Sequence, residues 1–116
     1  MSDALANLVS SRLPIVGVVA YGVYASDRAL MSQCLSKSLY PSATESILSG
    51  VVQSARTLLP AGNDAARYCW VFECLRVYVA SRPDGFCLAL MVENNPGVQQ
   101  VRIQEMLNDF VDLAEV

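Results

Sequence analysis

The sequence contains no histidine and a single lysine, Lys37. Without histidine, the commonest general base and the usual partner of a Ser or Cys nucleophile are missing. There is no Gly-x-Ser-x-Gly elbow and no glycine-rich loop leading into Lys-Ser or Lys-Thr. The chain is therefore expected not to be an enzyme, and no cofactor is expected. Charge is scarce too, at 16% of residues against about 25% for a typical soluble domain. The 8 basic residues are scattered. No basic face marks a nucleic acid or a membrane surface as partner. The longest uncharged run, Leu13 to Ser26, holds Gly17 and Gly22 and is too short to cross a bilayer as a helix. The opening Met1-Ser2-Asp3-Ala4 lacks a positive n-region and an apolar h-region, so the expected compartment is the cytoplasm. Cys34, Cys69, Cys74 and Cys87 are then expected as free thiols. No Cys-x-x-Cys pair is present, and buried, inert thiols are favoured over a metal site.

What is present is apolar: 53% of 116 residues, with a net charge of −3. Residues 1–116 make one domain. So little charge leaves more apolar surface than one small core hides, and a partner subunit is the place for the excess.

The periodicity gives eight elements. Asp3 to Arg12 reads as a short helix with Leu5, Leu8 and Val9 on one face, capped by Ser2 or Asp3 and ended at Leu13-Pro14. Ile15 to Tyr24 is a strand apolar on both sides of the pleat, so both sheet faces should be covered. A turn at Ala25 to Arg28 leads to a weaker, edge-like strand, Ala29 to Leu35. Pro41 to Leu59 is the clearest helix, with Ser42 or Thr44 as cap and Glu45 in the first turn. Its apolar row is Ile47, Val51, Ala55 and Leu58, widened by Leu48, Val52 and Leu59. After a loop at Pro60 to Asp64 come three strands. Arg67 to Phe72 sets Tyr68, Trp70 and Phe72 against Cys69 and Val71, and Arg76 to Ser81 follows. Phe86 to Val92 comes after the tight turn Pro83-Asp84-Gly85. The last helix is expected from Asn95-Pro96, with Asn as cap. Its buried stripe would be Val98, Val101, Ile103, Met106, Leu107, Phe110 and Ala114. Glu105, Asp109, Asp112 and Glu115 would form a solvated acidic stripe. The order is helix-strand-strand-helix-strand-strand-strand-helix. It predicts an α+β fold, a three-layer α/β/α sandwich around a five-stranded antiparallel sheet.

Two constellations stand out. Ser42, Ser46, Gly50 and Ser54 recur every four residues on the middle helix. Small residues let a second helix approach closely; the alternative is a plain solvent-facing ridge. Gly50 costs about 1 kcal/mol in a helix interior, which asks for a packing reason. Tyr68, Trp70 and Phe72 are the second. They belong to the core unless their strand is a sheet edge, where pairing with another subunit protects the backbone.

The first strand Gly17-Val-Val-Ala-Tyr-Gly-Val-Tyr24, the turn at Asp27, Tyr68-Cys-Trp-Val-Phe-Glu73, Leu75-Arg-Val-Tyr-Val79 and Pro83-Asp-Gly-Phe-Cys-Leu-Ala-Leu90 together resemble the roadblock (dynein light-chain-type) family. Its fold is close to the longin and profilin-like domains. The resemblance spans nearly the whole chain and has no catalytic signature. It implies a bacterial-like, non-enzymatic homodimer in which edge strands join into one sheet and middle helices lie side by side. Ser42, Ser46, Gly50, Ser54, Tyr68, Trp70 and Phe72 would then form the dimer interface. It also implies a Ras-like small GTPase as regulated partner, although no residue can be matched to GTPase contact. A structural homodimeric scaffold or sensor subunit is the second reading. A small-molecule domain with a pocket lined by Tyr21, Tyr24, Trp70 or Tyr78 is the third.

Overall fold

The computed structural model describes residues 3–25, 28–58, 66–95 and 97–114. The expected cap Ser2, the turn residues Ser26 and Asp27, the loop Pro60 to Asp64, Leu59, Pro96 and Glu115 lie outside the described residues, as does the side chain of Leu58.

Strands β1 (Val18–Tyr24) and β5 (Cys87–Glu93) form the middle of the sheet, paired antiparallel from Val18 opposite Val92 to Tyr24 opposite Cys87. Both are apolar on alternate sides, and every residue but Glu93 is buried. That is the signature of a sheet covered on both faces. β2 (Ala29–Cys34) pairs outside β1. β4 (Leu75–Ser81) and β3 (Ala66–Val71) continue outside β5. The order β2-β1-β5-β4-β3 leaves β2 and β3 as the two edges.

Helices α1 (Asp3–Arg12) and α3 (Gln100–Asp112) cover one face. Leu5, Leu8, Ile103, Met106, Leu107 and Phe110 pack there on Tyr21, Val23, Leu88, Leu90 and Val92. α2 (Pro41–Leu58) covers the other face, with Leu48, Val51, Val52 and Ala55 on Val19, Tyr24, Val77, Val79, Ala89 and Met91. The three-layer antiparallel α+β architecture expected from the sequence is the one observed.

Several boundaries differ, each for a physical reason. β1 begins at Val18, not Ile15, because Gly17 has φ +100 and the Val18 N–H turns back to the Ile15 carbonyl at 3.1 Å. α2 starts at Pro41, where proline's missing N–H costs nothing. The Thr44 N–H already donates to the Tyr40 carbonyl at 3.0 Å, so Ser42 and Thr44 lie inside the helix and cap nothing, and Glu45 is past the first turn. Thr44 is buried, and Ile47 is 40% exposed rather than part of the core row. α3 begins at Gln100, not at Asn95. The Asn95 side chain accepts from the Gly97 N–H at 2.9 Å in a local turn, the alternative that Asn offers to helix capping. Val98 therefore precedes the helix, and Val101 and Ala114 are exposed. The acidic stripe is not wholly solvated. Arg12 at the end of α1 bonds Glu105 at 2.9 Å and Asp109 at 2.5 Å, tying α1 to α3.

The turn after β4 matches expectation. The Gly85 N–H closes on the Arg82 carbonyl at 3.0 Å, and Gly85 takes φ +90. Arg82 itself is buried. Its guanidinium pairs with Asp84 at 3.0 Å and donates to the last-turn carbonyls of α3, Phe110 at 2.5 Å and Val111 at 3.3 Å. A cation from a hairpin thus meets the last carbonyls of α3, where Phe110 otherwise has only the long bond from the C-cap Leu113 N–H at 3.4 Å.

Candidate functional site

β3 is an edge strand, and its register shows which backbone groups are open. The Phe72 N–H donates to the Leu75 carbonyl at 2.8 Å. Hydrogen-bonded and non-bonded pairs alternate along an antiparallel ladder. The register Trp70 opposite Val77 and Tyr68 opposite Val79 therefore turns the backbone of Trp70, Tyr68 and Ala66 toward β4. The N–H and C=O groups of Arg67, Cys69 and Val71 point away from the sheet, where another strand can pair with them.

The side chains of β3 divide by face. Tyr68 and Trp70 lie half-buried against the α2-side core, their rings 5.7 Å apart and tilted by 49°. Arg67, Cys69 and Val71 are exposed on the α1/α3 side. Arg67 reaches over to α3 and bonds Gln104 at 3.2 Å, and Asn108 as well. Phe72 does not share the strand with Tyr68 and Trp70; it stands in the hairpin after β3, 44% exposed.

On α2, Ser42, Ser46, Gly50 and Ser54 are all exposed, and a Cβ at Gly50 would meet nothing within 4 Å. The Ser46 and Ser54 hydroxyls fold back onto the carbonyls of Ser42 and Gly50 at 3.1 and 3.0 Å. They leave a smooth, satisfied surface. The ridge is not a straight face, because four residues turn a helix by about 40° more than one revolution. Ser42 consequently borders β2, in a groove with Pro41, Glu45 and Leu48, while Ser54 has come round to the other flank. Ser49, Gln53 and Arg56 also face the β2 side. The flank turned toward β3 is Ala43, Ile47, Gly50 and Ser54, with the 81% exposed Tyr40 just before the helix. Tyr40 and Ile47 were not singled out by sequence reasoning. Ile47 looked like core from its spacing, and Tyr40 lies outside the helical period.

Tyr21, Tyr24, Trp70 and Tyr78 do not gather around one pocket: Tyr21 borders a groove beside α1 and Tyr24 one beside α2. Tyr21 and Tyr24 are both buried in the core, on opposite faces of β1. Burial, the charge of Glu45 and the hydrogen bond to it push the Tyr24 hydroxyl well above its usual pKa. Tyr78 is held by Arg76 and Gln100 at 3.3 and 3.0 Å. The thiols also depart from the expectation of burial: Cys87 is buried, but Cys69 and Cys74 are exposed. Among the described residues no three His, Cys, Asp or Glu side chains come together as a metal site. No helix there is long and apolar enough to cross a membrane.

No protein-family model matches the chain, and no curated protein matches it. Solved structures do. Myxococcus xanthus MglB is similar over 90% of this chain and 80% of its own, at TM-score 0.52 and 11% identity. A Roadblock/LC7 domain from Streptomyces avermitilis is similar over 93% of this chain and 92% of its own, at TM-score 0.52 and 14% identity. The fold is the roadblock fold, as the sequence resemblance implied.

Proposed function

We propose that this chain is a non-enzymatic, cytoplasmic interaction module that acts as a homodimer and binds or regulates a Ras-like small GTPase. The observation that carries the dimer is the open β3 edge lying beside an open flank of α2 on one side of the molecule. A second copy related by a two-fold axis meets the same surface, pairing β3 with β3 and laying α2 against α2. The interface then includes Tyr40, Ile47, Gly50, Ser54, Tyr68 and Trp70, with Ser46 and Phe72 toward its rim and Ser42 outside it.

The GTPase partner follows from the family resemblance, supported by the shared fold. A dimer changes a GTPase's state only through its different affinities for the two switch conformations. Its task is to hold one of them, and it needs no acid–base chemistry of its own. Affinity capture from source-cell lysate, once with GDP and once with a non-hydrolysable GTP analogue, tests this. A small GTPase enriched in one state is the expected result. Equal recovery means a passive anchor, and no GTPase in either puts the scaffold reading first.

Gly50→Leu separates folding from association. No atom lies within 4 Å of the new Cβ, so the fold accommodates the side chain. Helix propensity should raise the monomer's stability by about 0.5–1 kcal/mol. The same side chain prevents close approach of a second α2. Light scattering should give twice the chain mass for the wild type and a shift toward the monomer for the variant. A variant that stays as dimeric as the wild type would take α2 out of the interface.

A further inference from the structure

The edge opposite β3 is built differently. β2 reads Ala-Leu-Met-Ser-Gln-Cys, without a charge or a proline. Those are two of the devices by which edges are kept from pairing; a third, a β-bulge, is present only at the start of the strand, where the register steps from Met31 opposite Val23 to Ala29 opposite Tyr24. The Leu35 N–H donates to the Val19 carbonyl at 2.8 Å. With Ala20 opposite Cys34 and Gly22 opposite Ser32, alternation turns the backbone of Gln33 and Met31 toward β1 and that of Ser32 and Cys34 outward.

A groove flanks this edge on each face of the sheet. On the α1 side a groove of about 310 Å³ is walled by Val9, Leu13, Tyr21 and Leu35. On the α2 side another of about 310 Å³ is walled by Cys34, Pro41, Thr44 and Leu48. An added strand sends successive side chains to opposite faces, so it would place one in each groove in turn.

The ends of the edge are positive. Arg28 directly precedes β2 and Lys37 follows it by three residues. Both are exposed, and among the described residues neither side chain has a hydrogen-bond or ion-pair partner. Glu45, which accepts from Tyr24 at 3.4 Å, is the carboxylate on the α2 wall. Six residues of β2 span about 20 Å, so the two cations bracket a strand of six to eight residues.

We propose that the β2 edge is a docking site for an extended segment of another protein. The segment has alternating apolar side chains and an acidic residue at each end, and it adds to the sheet as a sixth strand. Charge complementarity to Arg28 and Lys37 selects it, and the paired grooves read its side chains. The site lies at the far edge from β3, so it does not rest on the dimer.

The probe is an unbiased phage-displayed library of peptides of about twelve residues, selected on the full chain. The best binders are then synthesised, labelled and titrated by fluorescence anisotropy. Enriched peptides should alternate apolar residues between terminal Asp or Glu. Ser32→Pro removes only an outward N–H, a place where an edge strand tolerates proline. It should weaken binding at least about tenfold, as should Arg28→Glu with Lys37→Glu, the latter with a reduced salt dependence. Gly50→Leu should leave the affinity unchanged. If Ser32→Pro fails to fold, hydrogen exchange on the wild type decides, because bound peptide must slow the amides of Ser32 and Cys34. No enriched peptide, binders indifferent to both variants, or unprotected amides would overturn the proposal. So would a Ser32→Pro chain whose mass by light scattering halves, since the edge would then serve a second copy.

Discussion

Replacing Arg82 by methionine is expected to destabilise the fold by about 3 kcal/mol, lowering the melting temperature by roughly 10 °C. Methionine retains much of the volume, so the loss isolates the polar contacts. The guanidinium lies 5.6 Å from the Phe110 ring centroid, donates to the Phe110 and Val111 carbonyls, and pairs with Asp84. Removing it leaves the Val111 carbonyl without this donor and the Phe110 carbonyl with only the long bond from the Leu113 N–H at 3.4 Å, and a buried acceptor that loses its partner costs more than a typical hydrogen bond returns. Asp84 is 38% exposed, so water replaces its partner and Asp84→Asn should cost only about 1 kcal/mol or less. Urea denaturation of the two variants tests the ranking. Equal small losses would mean that α3 ends without help from the hairpin.

Gly17→Ala should cost about 4 kcal/mol, the sum of two separable effects. Gly17 sits at φ +100, a region that L side chains rarely adopt, and its Cβ would lie 2.5 Å from a Val98 methyl. Val98 is β-branched and stiff at χ1, so it has little room to yield. Val98→Ala in the Gly17→Ala background should recover about half of the loss by removing the collision, while the backbone strain remains. Full recovery would mean that the dihedral relaxes, and no recovery that Val98 was already displaced. The Gly17 carbonyl accepts from Glu93 N–H at 2.9 Å. The variant therefore also probes where β1 meets β5.

Strand pattern was the most legible part of the sequence. In β5, Leu88, Leu90 and Val92 went to one core and Cys87, Ala89 and Met91 to the other, because a period of two admits no other assignment on a sheet covered twice. Helix starts were less legible. Asn95 carries a capping side chain, but its oxygen serves the Gly97 turn, and Gln99 instead meets Val16, its N–H donating to the Val16 carbonyl at 3.0 Å. That contact comes from β1's entry loop, far away in sequence. The candidate site was legible by element and less so by residue. Tyr68 and Trp70 stand where the alternation put them. The serine spacing marked α2, but a four-residue step drifts around a helix, so it joined Ser42 on one flank to Ser54 on the other. Ile47 matched the core period and faces outward, because the core under α2 is already filled by Leu48, Val51 and Ala55.

The two faces of the sheet are roofed unequally. Five strands spaced about 4.8 Å apart make a floor roughly 20 Å wide, and a helix with its side chains is only about 10–12 Å across. Two helices tile one side. On the other, α2 alone runs over the middle, leaving an uncovered margin along each border. One margin exposes the aromatic pair of β3, and the other the groove beside β2. Among the described residues no fourth helix covers these margins, so the proposed dimer and the proposed added strand would each use a different border, and lengthening α2 would close neither.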